Sequence, residues 1–360
     1  MVSGWLWVIF TVLAAGGQTL RNAMQRELTA TLGTVGATHV RFLFGLPFAL
    51  LFLVAILVVT GAAIPPLNPR MLTWTVVGAA TQFAATALLL AAMRDKSFVL
   101  VTALNKLEPV HVALFGLVFL AERVTLPLAF AIGIATVGVL VMSWPRQPAA
   151  PKPASSVSSA TPAVTLASGQ QPLVLDPANG LWRGAIVVNG EPMRFWLPEG
   201  PAVEPPPAPP APAGTSWRPI ILGIVAGAMF GASAVGYRGG MLALGSPNFV
   251  VNATITLVAG LVMQVIVLSL YLLLFDRPTL LAIFRAWRPS MLAGFMGAFA
   301  SQNWFLAFAL ESAAKVRTLA LVEILFAGLV SRSLFKQSFA SRESAGIVLI
   351  IIGVGILLNL

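Results

Sequence analysis

The chain contains no cysteine. Disulfides, thiolate metal sites, iron–sulfur clusters and thiol nucleophiles are therefore excluded. Histidine is almost as scarce: His39 and His111 are too few for an imidazole metal cluster. Charge is sparse, at 9% of 360 residues, against roughly a quarter in soluble domains. Signatures of hydrolysis are missing as well. There is no Gly-x-x-x-x-Gly-Lys-Ser/Thr, no His-Glu-x-x-His and no Gly-x-Ser-x-Gly. An enzyme is not expected, nor a metal or cofactor. Any pumping must draw on a gradient.

What the chain has in excess is apolar surface. Hydrophobic residues make up 58%, and the mean hydropathy is +0.90. A soluble fold of this size cannot hide so much, because its surface demands polar cover. The expected solvent is a lipid bilayer, and the fold class is an all-α, multi-pass membrane protein. The net charge of +10 does not point to nucleic acid. Its basic residues stand singly at the ends of apolar runs, as topology determinants do.

Ten apolar stretches lie at about 4–22, 36–60, 72–93, 97–120, 125–144, 218–237, 248–274, 290–309, 314–334 and 344–360. Each is long enough to cross a hydrocarbon core of ~30 Å as a helix. Helix is the choice that pairs every backbone polar group within the segment. Residues 145–217 interrupt the series with most of the chain's 26 prolines. Such composition predicts an extended or disordered linker. Within it, Ala185–Val188, Asn189-Gly190 and Met193–Leu197 read as a small β-hairpin on a tight turn.

The flanking segments, 1–144 and 218–360, repeat. A gapless shift of 215 residues sets Gly16 on Gly231, Gly45 on Gly260, Arg70 on Arg285, Ser97 on Ser312, Glu108 on Glu323 and Gly138 on Gly353. Each unit holds five stretches, an odd number, so the second inserts upside down relative to the first. The expectation is ten transmembrane helices in two inverted five-helix repeats, an arrangement that secondary transporters use. Short loops flanking the linker's side carry Arg21, Arg26, Arg94, Lys96, Arg277, Arg285, Arg288, Arg332, Lys336 and Arg342. Those opposite carry Arg70, Arg123, Arg238, Lys315 and Arg317. Ten against five predicts a cytoplasmic linker and external termini, in a cell's inner membrane.

Ionisable residues inside a membrane are costly and mark candidate sites. Glu108 sits mid-stretch, and Glu323 holds the repeat-equivalent place. Asn105 and His111 lie three residues either side of Glu108, on one helical face. Pro109 lacks an N–H and frees the carbonyl of residue 105. This face reads as a solute site or proton relay, or else as polar glue between helices. Lys106 falls about 200° round the helix from Glu108, which suits an inter-helix pair. Arg41 would neutralise a buried carboxylate or anchor an interface. Gln302, Asn303 and Trp304 combine amides with a large ring, suited to a solute pocket or to helix packing. Asn252 is a weaker candidate. Tyr237-Arg238 and Arg21-Asn22 end the first stretch of each unit and read as interfacial. Gly223, Gly227 and Gly231 form a stripe for close packing.

Two five-helix units with a polar fourth helix resemble the EamA family of the drug/metabolite transporter (DMT) superfamily. The resemblance rests on Leu107-Glu108-Pro109-Val110 and on Phe119-Leu120-Ala121-Glu122-Arg123-Val124. The family's Gly-Glu-Arg-like turn is matched by Ala121-Glu122-Arg123, and Phe335-Lys336-Gln337 is a degraded copy. The resemblance implies a ten-helix basket around a central cavity. It also implies export of amino acids or other small metabolites, with proton coupling left open. The linker is longer than the family's short connection, and many relatives keep their termini cytoplasmic. A non-transporting scaffold or receptor using the linker is the alternative, as is an uptake or facilitative carrier.

Overall fold

The computed structural model describes residues 2–95, 104–143, 217–324 and 341–360, with four strands between 163 and 197. The chain divides into two compact units: Met1–Pro145 with Trp217–Leu360, and Arg146–Ser216.

The larger unit is helical. A short 3-10 turn, Val2–Trp5, leads into α1 (Leu6–Leu43). Helices α2 (Gly45–Thr60), α3 (Pro69–Asp95), α4 (Glu108–Leu120) and α5 (Leu126–Ser143) follow. The second half contributes α6 (Arg218–Leu244), α7 (Phe249–Phe275), α8 (Arg277–Arg285), α9 (Trp287–Leu310), α10 (Ala313–Leu319) and α11 (Ser341–Leu358). Among the described residues, four helical spans are long and apolar enough to cross a bilayer: Thr31–Thr60, Pro69–Leu89, Ile220–Leu244 and Phe249–Phe275.

The surface inverts the pattern of a soluble protein. Val58, Val59, Leu126 and Phe275 are at least three-quarters exposed, while Thr11, Thr75, Thr254 and Gln264 are buried. Most of the buried hydroxyls donate to the carbonyl four residues back, as Thr11 does to Trp7 and Thr254 to Val250. That is the outcome expected where lipid cannot satisfy a polar group.

Three boundaries differ from the sequence reading. The first stretch was expected to end near residue 22, yet α1 continues through Arg21–Leu32. That segment is rich in good helix formers and free of Gly and Pro. The break falls at Gly33, whose φ of +66° an L side chain resists. The first stretch of the second unit likewise runs on to Leu244, so Arg238 lies within a helix. The expected loop after residue 274 holds a short helix, α8. It is capped by the Asp276 carboxylate accepting from the Thr279 N–H, with Ile283 buried beneath it.

Helices from the two halves pack in pairs. Helix α3 runs along α6, α1 along α9, and α5 along α11. Glycines permit the approach. A Cβ on Gly236 would come within 2.8 Å of the Gly78 backbone, and one on Gly138 within 2.7 Å of the Gly346 carbonyl. Small residues are how helices associate where lipid removes the hydrophobic drive. Gly227 and Gly231 likewise pack against the start of α4, touching the Asn105 carbonyl and Val112.

The smaller unit contains an antiparallel sheet in the order β1 (Ala163–Val164), β2 (Leu173–Leu175), β3 (Trp182–Val188) and β4 (Glu191–Leu197). Val188 pairs with Glu191, so β3 and β4 join across two positions. The Asn189-Gly190 turn itself lies outside the described residues. The strands lie within the stretch read as a linker, where β-branched and aromatic residues in β3 and β4 outweigh the proline content, and the described residues of the larger unit are helical with short connections.

Candidate functional site

A cavity of about 900 Å³ lies in the helical unit, within the range of small-molecule sites. Its walls come from both halves of the chain: α1 and the start of α4 on one side, α6, α7, α9 and α10 on the other, with α3 between.

Helix α4 begins at Glu108, with Pro109 in its first turn, where a missing N–H costs nothing. Lys106 and Leu107 form a turn ahead of the helix. Helical spacing therefore does not govern residues 105–108, and the expected shared face does not form. Asn105, Lys106 and Glu108 all line the cavity. Lys106, expected to make an inter-helix pair, does so from within the cavity lining. His111 lies outside the lining. Its Nδ1 is 3.1 Å from the Leu107 carbonyl, and its Cβ packs by Gly231.

Each glutamate meets a cation from the opposite half. Arg317 Nε lies 2.9 Å from Glu108 Oε1, a charge contact without hydrogen-bond alignment. Lys106 Nζ lies 3.4 Å from Glu323 Oε2. The Gln18 amide donates to the same Glu323 oxygen at 2.8 Å, and Gln18 in turn accepts from the Trp304 indole at 3.1 Å. The Arg317 guanidinium covers the Trp304 ring at 4.8 Å and the Phe308 ring at 5.3 Å. Both halves are thus tied by charge and hydrogen bond, while the cation–π contacts hold Arg317 within its own half.

A second cluster closes the other wall. The Tyr237 hydroxyl donates to Gln82 Oε1 at 3.2 Å. The Gln264 amide donates to Gln82 and, at 3.1 Å, to the Tyr237 oxygen. Arg41 lines the cavity from α1, its guanidinium 4.3 Å from the Phe42 ring centre.

Just past Tyr237, Arg238 forms a clasp. It donates to Glu122, to the Phe308 carbonyl and, at 2.6 Å, to the Glu311 carbonyl. Glu122 is aimed by a tight C-cap: Ala121 takes φ +54°, and the Glu122 N–H donates to the Gly116 carbonyl at 3.0 Å. The clasp stands at the C-terminal end of α4. The ion-paired Glu108 is at its other end, about 20 Å away at 1.5 Å per residue.

The remaining candidates from the sequence lie outside the lining. Gln302 donates to Thr254 Oγ1 at 2.8 Å, Asn303 to the Phe299 carbonyl at 2.8 Å, and Asn252 to the Ser246 carbonyl at 2.8 Å. These amides tie helices and turns. Trp304 alone of that trio reaches the cavity.

Comparison with known proteins bears on this geometry. Residues 2–144 match the EamA-like transporter family. The match is confined to this segment, the first of the two helical halves. The EamA-like half brings Gln18, Arg21, Arg41, Gln82 and Glu108 to the cavity. A solved structure titled only "Crystal structure of protein" superposes with a TM-score of 0.59 at 11% identity, covering 99% of this chain and 95% of that one. That likeness concerns fold alone. Among curated proteins, none matches the chain. Together with the four apolar spans, that match points to a multi-pass membrane protein.

Gln18, Gln82, Gln264, Arg21, Tyr237 and Arg317 were not among the sequence candidates. Glutamines inside apolar stretches were the available signal, because an amide there needs a partner. Arg21 and Tyr237-Arg238 were read as interfacial, and Arg317 as a loop charge. Arg21 and Tyr237 are in fact buried. All four lie within helices.

Proposed function

We propose that the protein is a secondary transporter, built as two inverted five-helix repeats, that exports a small, partly polar metabolite by alternating access. The observation that carries this reading is the register of the cavity. Lining residues recur 215 positions apart: Gln18 with Ser233, Phe42 with Leu257, Thr86 with Ser301, Leu89 with Trp304, and Glu108 with Glu323. An inverted repeat lays matched positions around one central site. The pairing of α3 with α6 and of α1 with α9 is the same contact counted from either repeat, which supports the reading further.

The clasp on Arg238 supports alternating access. It links α6, the end of α4 and the end of α9 beyond the Tyr237 and Phe308 floor of the cavity. Such a cross-half latch must break before the cavity reaches that side. Export is the direction that the family resemblance implies. The loop charges support a cytoplasmic linker. Removing Arg21, Arg238 and Arg317, which lie within helices, from that count leaves the excess on the same side.

Metabolite profiling of a deletion strain against an overexpressing one, followed by flux of the responding metabolite in proteoliposomes, tests the reading. Release of one metabolite class that rises with the protein and disappears on deletion is expected. Equal profiles in both strains, with no flux in liposomes, would remove the transport reading.

A further inference from the structure

The charges of the cavity do not balance. Arg21, Arg41, Lys106 and Arg317 line it, against two carboxylates, Glu108 and Glu323. Both carboxylates are already engaged, by Arg317 and by Lys106 with Gln18. Arg21 is engaged as well, so Arg41 is the lining cation left over. Its charge meets no carboxylate among the described residues, and its guanidinium lies over the Phe42 ring.

Its position is built rather than incidental. Gly297 of α9 gives the space: a Cβ there would come within 2.9 Å of the Arg41 side chain at Cγ and 3.7 Å of Arg21 at Cδ. Two arginine stems thus run over one glycine and end in the same cavity. The wall around them is aromatic, with Phe42, Tyr237 and Phe305 lining it, and Tyr237 and Phe305 rings 4.8 Å apart. A cation held in an apolar bundle without a counter-charge is costly. An anion that arrives with the substrate removes that cost, and a guanidinium fork fits a carboxylate bidentately.

We infer that the cavity takes a small organic anion, its acid group on Arg41 and its apolar body against the aromatic wall. An ammonium group on the same solute would find both glutamates occupied, so an anion is favoured over a zwitterion. This deepens the transport reading and rests on it for the site's role.

An isosteric probe series tests it on the purified full-length protein: benzoate, benzamide and benzamidinium, with phenylalanine as the zwitterion. Calorimetry and thermal stability at millimolar ligand report binding. Benzoate should bind at least tenfold tighter than benzamide or phenylalanine, and benzamidinium should not compete. Arg41→Gln should abolish the preference, and Arg41→Lys should keep part of it. Equal binding across the series, an unchanged preference in Arg41→Gln, or no benzoate binding would overturn the inference. If Arg41→Gln does not fold, the wild-type series and Arg41→Lys decide alone. Liposome flux separates the two readings. Anion binding without flux removes transport but keeps the anion site. Flux of the cation or zwitterion without anion binding removes the site but keeps transport.

Discussion

Arg317 Nε, from the second half of the chain, lies 2.9 Å from Glu108 Oε1 of the first. Both side chains are mostly buried, at 18% and 13% exposed. Removing one partner strands the other in a poorly solvated place, which costs more than the pair itself contributes.

Glu108→Gln should therefore lower stability by about 2 kcal/mol, less than a fully buried pair because both groups keep some contact with the cavity. The double variant Glu108→Gln/Arg317→Gln should recover most of it. Melting of the detergent-extracted proteins checks both. Flux adds a second readout: a folded Glu108→Gln variant should lose gradient-driven transport. Wild-type flux would take Glu108 out of the mechanism.

Ala121 occupies the left-handed region at φ +54°. An alanine there is strained by about 1–2 kcal/mol, which glycine relieves at some cost in unfolded-chain entropy. Ala121→Gly should raise stability by about 0.5–1 kcal/mol, seen as a higher melting temperature. A lower one would mean that the turn is not strained.

The glycines divide sharply. A Cβ on Gly138 would sit 2.7 Å from a carbonyl oxygen of α11, whereas one on Gly16 would meet nothing within 4 Å. Gly138→Val should prevent folding or cost several kcal/mol through overpacking. Gly16→Ala, in a helix interior, should be neutral or stabilising by up to about 1 kcal/mol. Yields and melting temperatures of the two variants give the contrast.

The linker gives two tests. A reporter enzyme active only outside the membrane, inserted near Ser158, should stay inactive. Deleting residues 155–210 should leave insertion and transport largely intact. A stable but inactive deletion protein would give the sheet a role in the transport cycle.

The apolar stretches were legible because lipid forces one period and one length on every span. Their ends were not. Polar residues such as Arg21 and Arg238 were read as the end of a span, yet each sits inside a helix that continues because its polar group has partners in the bundle. Glu108, Glu323, Asn105, Arg41 and Trp304 stood out as polar or bulky residues in apolar runs, and they line the cavity. Gln302, Asn303 and Asn252 gave the same signal but point elsewhere. Composition marks a buried polar group without saying whether a solute or a neighbouring helix satisfies it. The Arg317–Glu108 contact joins residues more than two hundred positions apart, a relationship that no local pattern carries.

The exchanged ion pairs have a consequence for how the two halves depend on each other. At the repeat-equivalent of Arg317 stands Thr102, and at that of Lys106 stands Leu321. Both halves kept the acid, but each now supplies the base for the other. Two copies of the first half would present two lysines and no arginine finger for Glu108. Two copies of the second would leave Glu323 without its lysine. On the proposed repeat, neither half could be replaced by a second copy of the other, and substitutions at these four positions are coupled.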